Sequence, residues 1–413
     1  MARRTTLILI LAVVAAACTV PPVEEAPGAT TTTPTEETTT VALPEIDLPG
    51  RLVILDRGRN IAVVDPDGSD MIQLTSDAGT GAAYTQPLWS PDASLIAWGQ
   101  VTDDGPATAY QRVTAPSPTV VPMSSPPFYM FWSPDAATIG VLHNSADQVI
   151  DFEMVDVAQG SATVVDGGAP YYFSWSPDGT QVIAHVGEAG FAIIDLAGTK
   201  SELGITAAGY LAPHWTPRGI FHVVDGVLVV EEEGERRMLA DLPGPVTFVA
   251  NSQGTLVAVQ SARQAAGTPA AYRPQAQQAA PIPVNAVVVV DVETSEVEIA
   301  VEQAAVGFFW SPDGRRLLIL RLSPSGAVLD VLVWEVGGGL TAYPSFAPHG
   351  TFVRDVLPFF PQYAQSLSLW APDSSAFAYA GELGGERGIW VQVLEEPQPR
   401  LVAEGSWVSW SGR

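Results

Sequence analysis

The chain has 413 residues, 47% of them hydrophobic, with 45 acids against 19 Lys and Arg, a formal net charge of −26, 37 Gly, 35 Pro and one Cys. So large an apolar share over this length excludes disorder throughout, and the negative charge, with no clustered Lys/Arg stripe, excludes nucleic acid as the expected partner. Short Val, Ile, Leu and aromatic runs broken by Gly, Pro and Asp predict an all-β protein.

From the N-terminus, Arg3 and Arg4 precede an unbroken apolar run from Leu7 to Ala17, and the small residues Ala15 to Ala17 stand directly before Cys18. This order reads as an export signal over 1–18, and the run is shorter than the roughly 20 residues that cross a bilayer. The small residues ahead of Cys18 resemble the lipobox of bacterial lipoproteins. That resemblance implies cleavage before Cys18, lipidation at Cys18, and a lipid-anchored domain facing the periplasm or the cell exterior. An ordinary secretory signal cut near Ala17 is the alternative. Residues 19–49 are rich in Thr and Pro and carry six acids without a base, so they are expected to form a disordered tether. With Cys18 as the sole cysteine, the exported domain has no intramolecular disulfide and must hold together by packing.

Residues 50–413 are organised by a repeat. Trp89-Ser90-Pro91-Asp92 recurs at Trp132-Ser133-Pro134-Asp135, Trp175-Ser176-Pro177-Asp178, Trp310-Ser311-Pro312-Asp313 and, with Ala for Ser, Trp370-Ala371-Pro372-Asp373. Degenerate copies lie at Trp215-Thr216-Pro217-Arg218, at Ala250-Asn251-Ser252-Gln253 and at Trp410-Ser411-Gly412. The spacing suits four-stranded propeller blades. Each unit reads as an apolar strand A ending at the Trp, a Ser-Pro-Asp turn, and strands B, C and D; in one unit these are Tyr171 to Trp175, Gln181 to Val186, Phe191 to Asp195 and Ser201 to Ile205. Proline presets the turn, Asp accepts from nearby amides and Gly tolerates positive φ. The Trp rings suit the gaps between blades, which needs no ligand. At the start of the domain, Arg51 to Asp56, Asn60 to Asp65 and Met71 to Thr75 lack a strand A, which Trp407 to Trp410 supplies. The prediction is therefore an eight-bladed β-propeller, seven if the Ala250 unit is not a blade, closed by its two ends in one blade.

This repeat, with the phrase Val63-Val64-Asp65-Pro66-Asp67-Gly68-Ser69, resembles the TolB-type propeller repeat, also found in the propellers of prolyl-oligopeptidase and dipeptidyl-peptidase families. The resemblance covers nearly all of 50–413 and implies a fold; function does not follow from it. The peptidases add a hydrolase domain with a Gly-x-Ser-x-Gly elbow, and this chain contains neither.

Candidate sites are few. His143, His185 and His222 fall near the ends of B strands in three units, and some TolB-like lyases hold a metal through histidines, so a metal-dependent glycan lyase is one reading. Interblade packing is the other and is preferred, and no metal or cofactor is expected. Asp65-x-Asp67-Gly68-x-Asp70 lacks the remaining acids of an EF-hand loop and reads as a C–D turn. Two insertions, 261–285 in a B–C connection and 343–365 in a D–A connection, decorate one face. The second carries Tyr343, Phe346, His349, Phe352, Phe359, Phe360 and Tyr363, which either bind a partner or fold back over the propeller's own mouth. Residues 50–413 hold 39 acids and 17 bases, a net charge of −22, which disfavours polyanions. The reading is a monomeric, membrane-anchored, non-enzymatic module that binds an envelope protein, with glycan binding or glycan cleavage as the alternative.

Overall fold

The computed structural model describes residues 47–145, 149–187, 190–205, 211–262 and 280–412. The export signal, Cys18, most of the tether and most of the 261–285 insertion, including Tyr272 and Arg273, lie outside the described residues.

The described strands are arranged as antiparallel blades, with strand A of each unit lining a central channel and strand D at the exposed perimeter. The chain is a multi-bladed β-propeller. The unit Tyr171–Trp175, Gln181–Val186, Gly190–Asp195 and Lys200–Glu202 follows the bounds read from sequence, with a shorter fourth strand. The ends meet as expected: Gly405–Trp410 pairs with Leu52–Asp56, in register Leu52↔Trp410 and Ile54↔Val408. An edge strand at either terminus would expose unpaired backbone, and this closure removes it.

The Ser-Pro-Asp turn builds itself the same way each time. Ser90 Oγ donates to Asp92 Oδ1 at 2.6 Å, the same oxygen accepts the Ser94 amide at 3.0 Å, and Ser90 Oγ accepts the Leu95 amide at 3.0 Å. The units at Ser133, Ser176 and Ser311 repeat this network. The Ser176 hydroxyl and the Thr180 amide hold the Asp178 carboxyl below the usual carboxylate range. In the degenerate unit Asn251 substitutes for the pair, its Oδ1 accepting the Thr255 amide at 2.9 Å. The residue after the Asp adopts a positive φ even where it is not glycine, at Ala93, Ala136 and Ser374.

Three of the motif tryptophans hydrogen-bond the preceding unit, whereas the indole N–H groups of Trp89 and Trp132 meet no acceptor among the described residues. Trp175 Nε1 donates to the Phe131 carbonyl at 3.1 Å, Trp310 Nε1 to Val249 at 2.8 Å and Trp370 Nε1 to Phe309 at 3.1 Å. Each acceptor directly precedes the Trp position of the preceding unit, so one indole contributes both buried area and an interblade hydrogen bond. Between strands the packing is tight: a Cβ on Gly140 would stand 2.8 Å from the Phe173 ring of the next blade.

One region departs from the pattern. Strand D of the Trp310 unit runs Gly339–Pro348, so Tyr343 and Phe346 belong to that strand and the insertion begins at His349, later than the sequence suggests. Pro344, which has no N–H to donate, sits where the register shifts, the position at which a sheet tolerates proline. The far end of this strand then pairs with strand B of the following unit, Ala347↔Glu382 and Pro348↔Gly381. That edge would ordinarily belong to strand A of the following unit, which is reduced to the bridge Trp370↔Phe377. The result is one seven-stranded sheet carrying the strands of two repeats.

Candidate functional site: a plugged channel with two chambers

The insertion enters the channel. After a π-helical turn, Phe352–Val356, and a 3-10 turn, Leu357–Phe359, the helix Phe360–Ser366 lies among the innermost strands. Gln362 anchors it: Nε2 donates to the Phe173 carbonyl at 2.6 Å and to Tyr129 Oη at 2.9 Å, and Oε1 accepts the Phe173 amide at 3.1 Å. The side-chain amide thus serves a channel-facing strand as a neighbouring strand would. Tyr363 Oη accepts from Gln86 Nε2 at 2.7 Å, and burial pushes its phenol well above the ordinary range. Gln365 Nε2 reaches the Pro213 carbonyl at 3.2 Å.

The helix divides the channel into two chambers of about 530 Å³ each. The one on the Ser-Pro-Asp side is ringed by the motif residues Trp89, Trp132, Trp175, Trp215 and Trp310, with Pro91, Pro134, Pro177 and Pro312. His214 also lines it. Burial holds this imidazole neutral, lowering its pKa to about 3 against the opposing Pro361 carbonyl. The other chamber opens on the insertion side between the helix and the starts of strands A, lined by Arg59, Tyr84, Gln86, Phe128, Tyr172, Arg354, Asp355 and Phe359 among others.

The structure divides the six candidate aromatics. Phe346 packs on Tyr379 at 4.1 Å, Phe360 on Phe308 at 4.8 Å and Tyr363 on Tyr129 at 5.1 Å, all three buried. Tyr343 and Phe352 are half-buried, with Tyr343 Oη donating to the Leu394 carbonyl at 3.0 Å. Phe359 stands exposed. Folding back over the channel accounts for most of the set, because a ring inside a propeller buries more apolar surface than one on its rim.

The three B-strand histidines do not meet. His143 Nε2 lies 2.9 Å from Glu153 Oε2, and that hydrogen bond, outweighing burial, raises its pKa. His185 Nδ1 bonds the Leu211 carbonyl at 2.8 Å. Phe191 stands between His185 and His222, with ring centroids at 4.7 and 5.2 Å. Among the described residues no group of three or more His, Cys, Asp or Glu is arranged to hold a metal ion. Asp67 accepts the Ser69 amide and hydroxyl, and Asp65 pairs with Arg51, so the 65–70 segment is spent on its own turn. Sequence reasoning passed over Gln86, Gln362 and Arg59; the one signal was a glutamine inside an otherwise apolar strand or aromatic segment.

No family model matches the chain, and no curated protein matches it. Solved structures do. The crystal structure of the eukaryotic initiation factor aligns at a TM-score of 0.54 and 11% identity, covering 87% of this chain and 98% of that one. An oligogalacturonate lyase in complex with manganese aligns at 0.52 and 14%, covering 85% and 99%. TolB from Acinetobacter baumannii aligns at 0.38 and 14%, covering 85% and 78%. At these identities the likeness is one of fold. The architecture is that of a β-propeller, and its Trp-Ser-Pro-Asp repeat resembles the TolB-type repeat. Among the described residues no helix is long and apolar enough to cross a membrane.

Proposed function

We propose that the protein is an exported binding module, anchored through Cys18, that docks a protein partner of the cell envelope on its insertion face. The observation that carries this is the placement of exposed apolar side chains. Phe128 at the start of a strand A, Val101 and Leu322 at the ends of B strands, Val149 before a strand C, and Val353 and Phe359 in the insertion all stand on that one side. Six of the fourteen exposed large apolar side chains among the described residues thus share this face, the other eight lying on or beside the perimeter D strands, and the six favour an interaction site here. The net charge of −26 favours a basic or neutral partner surface. The buried aromatics of the insertion stiffen this face, lowering the entropic cost of docking.

The test is capture of envelope proteins by the full exported chain, compared with the double variant Leu322→Ser/Val353→Ser. Both side chains are exposed, so the variant should melt as the parent does. A partner retained by the parent and lost by the variant supports the reading; equal retention by both overturns it.

A further inference from the structure

We propose that the insertion-side chamber is a binding site for a small, singly negative ring compound: an aromatic or cyclic carboxylate. The chamber shares Phe128 and Phe359 with the docking face, but ligand binding there stands without docking.

Volume and walls come first. About 530 Å³ lies in the range of small-molecule pockets. Tyr84, Phe128, Tyr172 and Phe359 line it, drawn from two repeats beyond the first, a third further round, and the insertion. Rings so placed offer faces and edges to a flat or ring-shaped ligand.

Charge decides the sign of the ligand. The charged residues lining the chamber are Arg59, Arg354 and Asp355. Arg354 is committed to Asp355 through two bonds of 2.8 and 2.9 Å. Nearby, Arg57 pairs with Glu404 and Arg387 with Glu382. Arg59 has no carboxylate at ion-pair distance among the described residues. Burial first, then Arg59, Arg354 and Arg387, lower the pKa of His349, while the carboxylates of Asp77 and Asp166 are engaged by the hydroxyls of the lining Tyr84 and Tyr171 at 2.6 and 3.1 Å. An unpaired guanidinium at the mouth of an aromatic chamber matches one carboxylate, which it can grip bidentately.

Gln86 fixes part of the wall. Its Nε2 donates to the Phe128 carbonyl at 2.6 Å and to Tyr363 Oη at 2.7 Å, so this side chain, 8% exposed, ties a strand of the wall to the channel helix. A wall held in this way is largely formed before a ligand arrives.

The experiment is ligand-observed NMR on the full chain with three probes: 4-hydroxybenzoate, its methyl ester and 4-methoxybenzoate. The ester removes the charge and the methoxy compound keeps it. The expected result is saturable binding of 4-hydroxybenzoate and of 4-methoxybenzoate, with about tenfold or greater loss for the ester. Arg59→Asn should weaken the acid by a similar factor and leave the ester unchanged; Asn tolerates the φ of 63° found there. Val353→Ser, outside the chamber, should bind all three as the parent does, so failure of docking and failure of this site are read separately. Equal binding of acid and ester, Arg59→Asn without effect, or no saturation by 4-hydroxybenzoate below roughly 10 mM overturns the proposal.

Discussion

Gln362 is the residue on which the channel helix depends, and replacing it by Leu measures how firmly the plug is seated. The substitution removes three hydrogen bonds and leaves the Phe173 amide and carbonyl facing the channel without their protein partners. Each orphaned backbone group costs about 1–3 kcal/mol when buried. Leucine recovers part of this through apolar contact with the surrounding rings, and water in the adjoining chambers can reach one of the two groups. A net loss of about 3 kcal/mol is therefore expected, and it should fall first on the insertion rather than on the blades. Hydrogen exchange resolves the two. Amides of Phe360–Ser366 should lose about a hundredfold of protection, with the B strands less affected, and trypsin should cut faster after the exposed Arg354. Gln365→Leu, which removes the 3.2 Å bond to Pro213, is the milder control. Protection of the helix unchanged within a factor of about three, or a loss below about 0.5 kcal/mol, would refute the assignment of Gln362 as the anchor.

Two further outcomes follow from burial. His214 has a folded pKa near 3 against 6.5, so the folded state binds fewer protons between those values and stability falls as pH drops through 6.5 toward 3. At pH 5 this amounts to at most roughly 2 kcal/mol. His143 acts in the opposite sense: with its pKa raised, its contribution is present below pH 6.5 and is lost as pH rises through the folded value. Urea unfolding at pH 7.5 and 5.0 should show His214→Phe losing less stability on acidification than the parent; parallel losses would count against a neutral buried imidazole. In the interblade gap, Gly140→Val places a methyl-bearing carbon against Phe173 and should cost about 2–3 kcal/mol by overpacking, read as a lowered urea midpoint; an unchanged midpoint would show that the gap yields.

The amino-acid sequence by itself determined the repeat. Trp-Ser-Pro-Asp is a local unit, and its Ser–Asp–amide network closes within five residues, so turn positions, strand bounds and the pairing of the two ends were legible from spacing and residue type. Even the stand-in Asn251 sits where the spacing puts a turn. What the insertion does was not legible, because its partners are remote along the chain. Gln362 meets Phe173 across 189 positions and Tyr129 across 233, and Tyr363 meets Gln86 across 277. The same apolar and aromatic pattern serves a ligand-binding face and a self-packed plug equally well, and periodicity cannot tell them apart. The histidines show the same limit: a shared strand position in three repeats left convergence open beside the preferred interblade packing, and only the structure gives each its own partner, Glu153, Leu211 and Phe191. Tertiary structure alone decided that the channel is filled from one side, that two chambers remain, and that Arg59 stands at the mouth of one of them with no carboxylate partner among the described residues, because each depends on bringing together distant repeats around a common axis.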